Sequence, residues 1–367
     1  MNRGYLSVKV IRRTAMALIS GAVLLASNPA QSQTVSNDMV AERSRSTEGF
    51  DLQEQLTIPL NRSLQREARN EADVLLRLGG EAKRQENLQK AIAYWQQALD
   101  LYQKIGDFEG QGLAYNYIGL TYADLGRFSQ AEESLRRRLG VARFLQDFQG
   151  QIYALNNVGT VLLQSNNLDA AQESFTEALT IARTVGDREG EGLSLSNLGL
   201  VAASGGDYLE AIKQYKAAIT LRRRLGDPLG EANTRNNLGD AYFAIASYKD
   251  AIGSYRYTLQ LAQDSQDISN QFRALRGLAK SYSIIGPDLL AIRYLNQHLA
   301  LAQEQESLSR ELVTLRLFAE FYLARGNVVK AKQFYEQAIA LANAIGETQQ
   351  EALLRNELAQ ILYDRGD

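Results

Sequence analysis

A period of 40 residues runs from about residue 67 to the C-terminus of this 367-residue chain. Gly79, Gly119, Gly159, Gly199 and Gly239 stand 40 apart, and Ala279, Ala319 and Ala359 continue the column. A second column is alanine throughout: Ala91, Ala131, Ala171, Ala211, Ala251, Ala291 and Ala331. Repetition at this period builds a stack of equivalent supersecondary units, each touching only its neighbours, instead of a globule around one catalytic cleft. Length alone would suggest two or three domains, but an array grows by adding units, so one elongated domain suffices. Hydrophobic residues at 45% can line a continuous interior, and 28 Gly against 4 Pro suit helices joined by tight turns.

Within one unit, residues 108–147, Tyr115, Ile118, Gly119 and Tyr122 fall at i, i+3, i+4 and i+7, one face of a helix. Gly126 closes that helix. A second begins near Phe128, carries Ala131, Leu135 and Leu139 on its inner face, and runs to about Leu145. The pairs Gly106-Asp107, Gly186-Asp187 and Gly226-Asp227 mark the junctions between units. Glycine takes the left-handed position after one helix and aspartate caps the next, with Pro228 at a first helical position where its missing N–H costs nothing. The Gly and Ala columns are expected to face each other inside each hairpin, where only small side chains let two backbones approach. Seven hairpins are expected, near 67–106, 107–146, 147–186, 187–226, 227–266, 267–306 and 307–346, then a capping helix within 348–367. The last two hairpins depart from the pattern, with Ala279 and Ala319 for Gly and Ser307 for the capping Asp.

These residues resemble the tetratricopeptide repeats, whose signature W-x2-L-G-x2-Y followed by A-x3-F is met by Tyr115/Ile118/Gly119/Tyr122 with Ala131/Leu135. Leu198/Gly199 with Ala211/Tyr215, and Leu238/Gly239/Tyr242 with Ala251/Tyr255, match again, and Trp95 fills the aromatic slot after Ala91. The usual 34-residue unit and its closing proline are absent. The 40-residue period, the NNLG run at 236–239 and the GD turns look like the longer subclass seen in kinesin light chains and LGN/Pins adaptors. Six added residues amount to about 9 Å of helix, so longer hairpins are expected. The resemblance implies an all-α superhelical solenoid over 67–347, whose first helices line a concave groove that holds a peptide segment of a partner.

The N-terminal stretch differs in kind. Arg3, Lys9, Arg12 and Arg13 precede the apolar run 14–26, too short to cross a bilayer comfortably, and Ala30 and Ser32 supply small residues for cleavage. Residues 1–32 read as a signal peptide, with an uncleaved membrane anchor as the alternative, and 33–66 as a flexible linker; the expected location is the periplasm or cell envelope, with no membrane span after cleavage. Removing those four cations takes the net charge from −2 to −6, which argues against nucleic acid as a partner. With no Cys, thiolate metal sites and a cysteine nucleophile are excluded.

Residues at −6, −3, +1 and +4 from each consensus Gly or Ala form the stripe opposite the seam. Asn116, Asn156 and Asn236 share the −3 column, and an amide offers both donor and acceptor, which suits gripping a peptide backbone. Arg273, Arg276, Lys280 and Arg316 cluster further along and suit acidic side chains or a terminal carboxylate. The bland alternatives are amides satisfied by neighbouring helices and a solvated charged face. Gly110-Gln111-Gly112 and Gly190-Glu191-Gly192 read as turns and not as phosphate loops, because no strand precedes them. The Arg136–Arg138 and Arg222–Arg224 runs read as cations near the ends of second helices. His298, the single histidine, stands where other units have Ala98, Ala178, Ala218 and Ala338 and reads as a packing variant. No catalytic set, cofactor site or metal cage emerges. The expected function is a non-enzymatic adaptor for a protein or peptide ligand, possible acidity included; the alternative is an architectural subunit packing through its convex surface.

Overall fold

The computed structural model describes residues 52–363, which form fifteen helices and, among themselves, no strand. The seven hairpins are α1 (Leu52–Arg84) with α2 (Leu88–Ile105), α3 (Phe108–Asp124) with α4 (Phe128–Phe144), α5 (Phe148–Gln164) with α6 (Leu168–Val185), and α7 (Arg188–Ser204) with α8 (Tyr208–Leu225). They continue with α9 (Pro228–Ala244) and α10 (Tyr248–Asp264), α11 (Ile268–Ile285) and α12 (Asp288–Glu304), and α13 (Leu308–Ala324) and α14 (Val328–Ala344). The last helix, α15 (Thr348–Tyr363), follows alone. Two compact units divide the array, one running to Asn197 and the other beginning at Leu198, so the boundary falls inside α7.

The hairpin boundaries fall where the 40-residue period puts them, with one correction. The first helix reaches back to Leu52, into the segment read as linker. Leu52, Leu56, Leu60 and Leu64 recur every four residues, a helical spacing that carries no 40-residue repeat and so escapes a search for period. The segment read as a signal peptide, 1–32, lies outside the described residues.

Turns recur on a finer rhythm than the hairpins. A left-handed residue ends helices every 20 positions, at Glu86, Gly106, Gly126, Gln146 and Asn166, and onward to Gly346. The exception is Gly286, which is extended (φ −103°) because Pro287 disfavours a helical residue before it. The next residue caps the following helix. Asp107, Asp147, Asp187, Asp227 and Asp267 each accept the backbone N–H three residues on, at 2.8–3.1 Å, whereas Ser307 makes no such bond. Between hairpins, Gln111, Gln151 and Gln271 donate their amides to the carbonyls of Tyr102, Ala142 and Ala262, satisfying groups that a helix C-terminus leaves open. At the same position Glu191 instead receives Arg183 and Arg188, and Glu231 receives Arg223 and Arg235.

The seam inside each hairpin is built differently from the expected meeting of two small columns. Every alanine of the second column is fully buried. The glycine, however, receives the large side chain one turn beyond that alanine. A Cβ placed on Gly119, Gly159, Gly199 or Gly239 would come within 2.5–2.7 Å of Leu135, Phe175, Tyr215 or Tyr255, and one on Gly79 would enter the Trp95 ring. Tyr255 is held from two sides, since Gly277 of α11 meets the same ring at 2.5 Å. Glycine is needed here for close approach and not for an unusual backbone.

That distinction predicts opposite signs for one substitution at two helical glycines. Gly159→Ala should destabilise by about 1–3 kcal/mol through overpacking against Phe175. Gly140→Ala, on α4 with no atom within 4 Å of the new methyl, should stabilise by about 0.5–1 kcal/mol through lost backbone entropy. Chemical denaturation midpoints of the two variants read both signs, and shifts in the same direction would contradict this seam.

Candidate functional site

In the first unit the expected amide column turns inward. The half-buried Asn116 accepts through Oδ1 from the Asn157 amide at 3.1 Å. Asn156 is 2% exposed; its Nδ2 donates to the Ile152 carbonyl and the Ser194 hydroxyl, and its Oδ1 accepts from Asn197. In the second unit Asn236 is fully buried and donates to the Asn270 Oδ1 at 2.8 Å. Apart from the Asn156–Ile152 bond within α5, these bonds run from one first helix to the next, α3 to α5, α5 to α7, or α9 to α11. The amides therefore hold consecutive first helices in register, and Asn156 and Asn236 do not face an open ligand. Neighbouring first helices approach to within side-chain reach, which a sequence column does not reveal.

The cations of the second unit separate into two kinds. Arg273 is absorbed: it donates to Asn233 Oδ1 (2.8 Å), Asn237 Oδ1 (2.7 Å) and Asp240 Oδ2 (3.0 Å), clamping α11 to α9. Arg316 pairs with Glu320 on its own helix and with Glu357 of α15. Arg276 and Lys280 are half-buried, and among the described residues no carboxylate lies within ion-pair distance of either. Burial pushes the Lys280 ammonium below its ordinary range; Glu320 and Asp240 oppose this while Arg276 and Arg316 reinforce it.

A third cation of the second kind comes from outside the expected set. Arg310, in the first turn of α13, lays its guanidinium 4.1 Å from the centre of the Phe272 ring. Burial and then Arg276 pull its pKa down. It also has no carboxylate within ion-pair distance among the described residues. Its sequence signal was available, because Arg310 stands three residues after a capping position, where other hairpins have Gly110, Gly150, Gly190 and Gly230.

His298 packs its ring edge-on against Phe272, with centroids 4.8 Å apart, as a packing residue with one specific bond. The Thr314 hydroxyl donates to the Arg310 carbonyl, so at 2.7 Å it accepts from His298 Nδ1–H. Burial, then Arg276 and Arg310, lower the imidazole to about 4, so it is neutral at pH 7. The glycine pairs read as turns lie instead inside α3 and α7, within their first two turns. Five of the six arginines in the two runs are engaged: Arg136 and Arg137 with Glu132 and Glu133, Arg138 with Asp147, Arg222 with Asp227, and Arg223 with Glu231.

A family model described as tetratricopeptide repeat matches residues 70–143, 150–224 and 191–264, more than half of the chain. The chain belongs to the tetratricopeptide-repeat family. No curated protein matches the amino-acid sequence. Among solved structures it is similar to aspartyl phosphate phosphatase F from Bacillus subtilis, at 15% identity and a TM-score of 0.61, covering 80% of this chain and 76% of that one. It is similar also to a signal-transduction ATPase with a tetratricopeptide repeat sensor from Pyrococcus horikoshii, at 15% identity and a TM-score of 0.61, covering 83% of this chain and 48% of that one. A third is the Rap conjugation gene regulator of plasmid pLS20 in complex with the Phr* peptide, at 19% identity and a TM-score of 0.54, covering 76% and 75%. These likenesses carry the repeat fold. Among the described residues no helix is long and apolar enough to cross a membrane.

The imidazole makes a pH prediction with a definite sign. Between pH 6.5 and about 4 the unfolded chain binds a proton that folded His298 refuses, so this contribution is whole above pH 6.5 and declines as pH falls. It should remove about 1–2 kcal/mol between pH 6.5 and 5. His298→Ala, matching the alanines elsewhere in its column, should flatten that part of the profile. Urea midpoints measured from pH 7 to 4.5 check this, and equal slopes in both proteins would contradict it.

Proposed function

We propose that the protein is a non-enzymatic scaffold that takes a peptide segment of a partner along the first-helix face of its second unit. The observation that supports the reading is Arg276 and Lys280, cations on the α11 stripe that the fold itself does not use. Around them the polar groups are committed to neighbours: Arg273 to Asn233, Asn237 and Asp240, and Arg316 to Glu320 and Glu357. An acidic group on the ligand would relieve the remaining charge. The Rap regulator bound to its Phr* peptide supports peptide docking on this fold, as a property of that protein. Export to the periplasm or envelope belongs to the same reading, and N-terminal sequencing tests it: a mature chain starting near Gln33 is expected, and an intact Met1 on the functional product would overturn it.

A second reading, architectural packing through the second helices, has its own observation. Leu209, Leu289 and Val329 stand at the starts of α8, α12 and α14 with 71–76% of their surface exposed. Titration calorimetry with the captured partner separates the two. Docking on the first-helix face predicts affinity that falls as salt rises, and a loss of about tenfold or more in Arg276→Glu with helicity unchanged. Full affinity in Arg276→Glu, together with loss in Leu289→Glu, would overturn the docking reading in favour of the architectural one.

A further inference from the structure

Phe272, Arg276 and Lys280 are spaced four residues apart along α11, so their side chains share one face of that helix. Arg310 of α13 lies over the first of them, one helical turn from Arg276, whose charge acts on the Arg310 guanidinium. Both arginines are half-buried, and the ring under Arg310 supplies attraction to a cation but no counter-charge. In the preceding hairpin the same two positions are Asn236 and Asn270, which hydrogen-bond to each other. A neutral contact has been replaced by two cations that repel.

The local charge count defines what is missing. Five cations, Arg273, Arg276, Lys280, Arg310 and Arg316, face three carboxylates, Asp240, Glu320 and Glu357. The surplus is two positive charges, and all three carboxylates already sit on Arg273 and Arg316. One carboxylate ligand would leave one charge uncompensated in a partly desolvated site, which is costly. Two guanidinium forks approaching from adjacent helices, with an ammonium one turn away, match an anion with several equivalent oxygens.

We propose that Arg276, Arg310 and Lys280 form a receptor for a doubly charged tetrahedral oxyanion, a phosphoryl group or free sulfate, between α11 and α13. It rests on the reading that the first-helix face of the second unit is where ligands dock. It sharpens that reading by naming the group recognised and by adding Arg310. Neutral His298, bonded to Thr314 under the same guanidiniums, contributes no charge of its own and reports on theirs.

The single histidine makes the test local. The full chain is titrated with sodium sulfate at constant ionic strength set by chloride, with calorimetry for affinity and the His298 ring proton signals for position. Sulfate should bind at one site and at least about tenfold more tightly than acetate. It should also raise the His298 midpoint from about 4, because the anion offsets both guanidiniums. Arg310→Gln should lose about tenfold or more in sulfate affinity, while Arg137→Gln, an exposed arginine already paired with Glu133, should lose none. Comparing inorganic phosphate with N-acetyl-phosphoserine amide separates a free anion from one carried on a chain: tighter binding of the amide assigns the site to a phosphorylated chain, and tighter phosphate to a free anion. Sulfate binding no better than acetate, or unchanged in Arg310→Gln, would overturn the proposal. If Arg276→Glu still weakened the partner in that case, docking on this face would stand without it.

Discussion

Absence of a side chain at one position fixes the geometry of every regular hairpin. Because Gly119, Gly159, Gly199 and Gly239 have no Cβ, a leucine or aromatic ring from the second helix can lie directly against the backbone of the first. The alanine one turn earlier lets the helices stay close along the seam. Once that separation is fixed, the same short turn fits both ends of each helix, which explains left-handed residues at 20-residue intervals. So strong is the demand that Gln146, Ala246 and Gln266 adopt a conformation that ordinarily favours glycine. Hairpins of one thickness bring successive first helices near enough for asparagine to bridge them, as in Asn156 to Asn197.

Most of the polar repertoire is consumed by this construction. Gln111, Gln151 and Gln271 close helix ends, Glu191 and Glu231 collect arginines, and aspartates cap. Function is then sought where a column changes character without a structural reward. Around α11 and α13 three columns change together: arginine at 276 where the four preceding hairpins carry asparagine or serine, arginine at 310 where most carry glycine, and histidine at 298 where most carry alanine. Natural sequences depart from local consistency chiefly at functional sites, because a half-buried pair of like charges costs stability in the unliganded protein.

The hairpins were legible because their signals are local and repeated: a glycine or aspartate at each turn, and apolar residues at helical spacing. Helix α1 was not, since Leu52, Leu56, Leu60 and Leu64 carry helical spacing without the longer period. Gly119 does meet the Ala131 backbone, but its nearest neighbour is the Leu135 side chain one turn on, because spacing identifies a helix face but not which side chain of that face fills the seam. The same limit explains the site. Sequence placed Asn156 and Arg273 on the right stripe and was silent on how close the next helix lies, which decides that both are committed. Arg276 and Lys280 have no ion-pair partner among the described residues, and Arg310, in a column where most hairpins carry glycine, lies over Phe272 one turn from Arg276.

The central claim is that ligands meet the first-helix face of the second unit. Photo-crosslinking in cells tests it most directly, with the reactive residue placed at Val313, which is 43% exposed on the α13 stripe, or at exposed Lys213 on the second helix α8. The account predicts a discrete partner adduct from position 313 and none from 213. An adduct from 213 alone would contradict it and move recognition to the second helices.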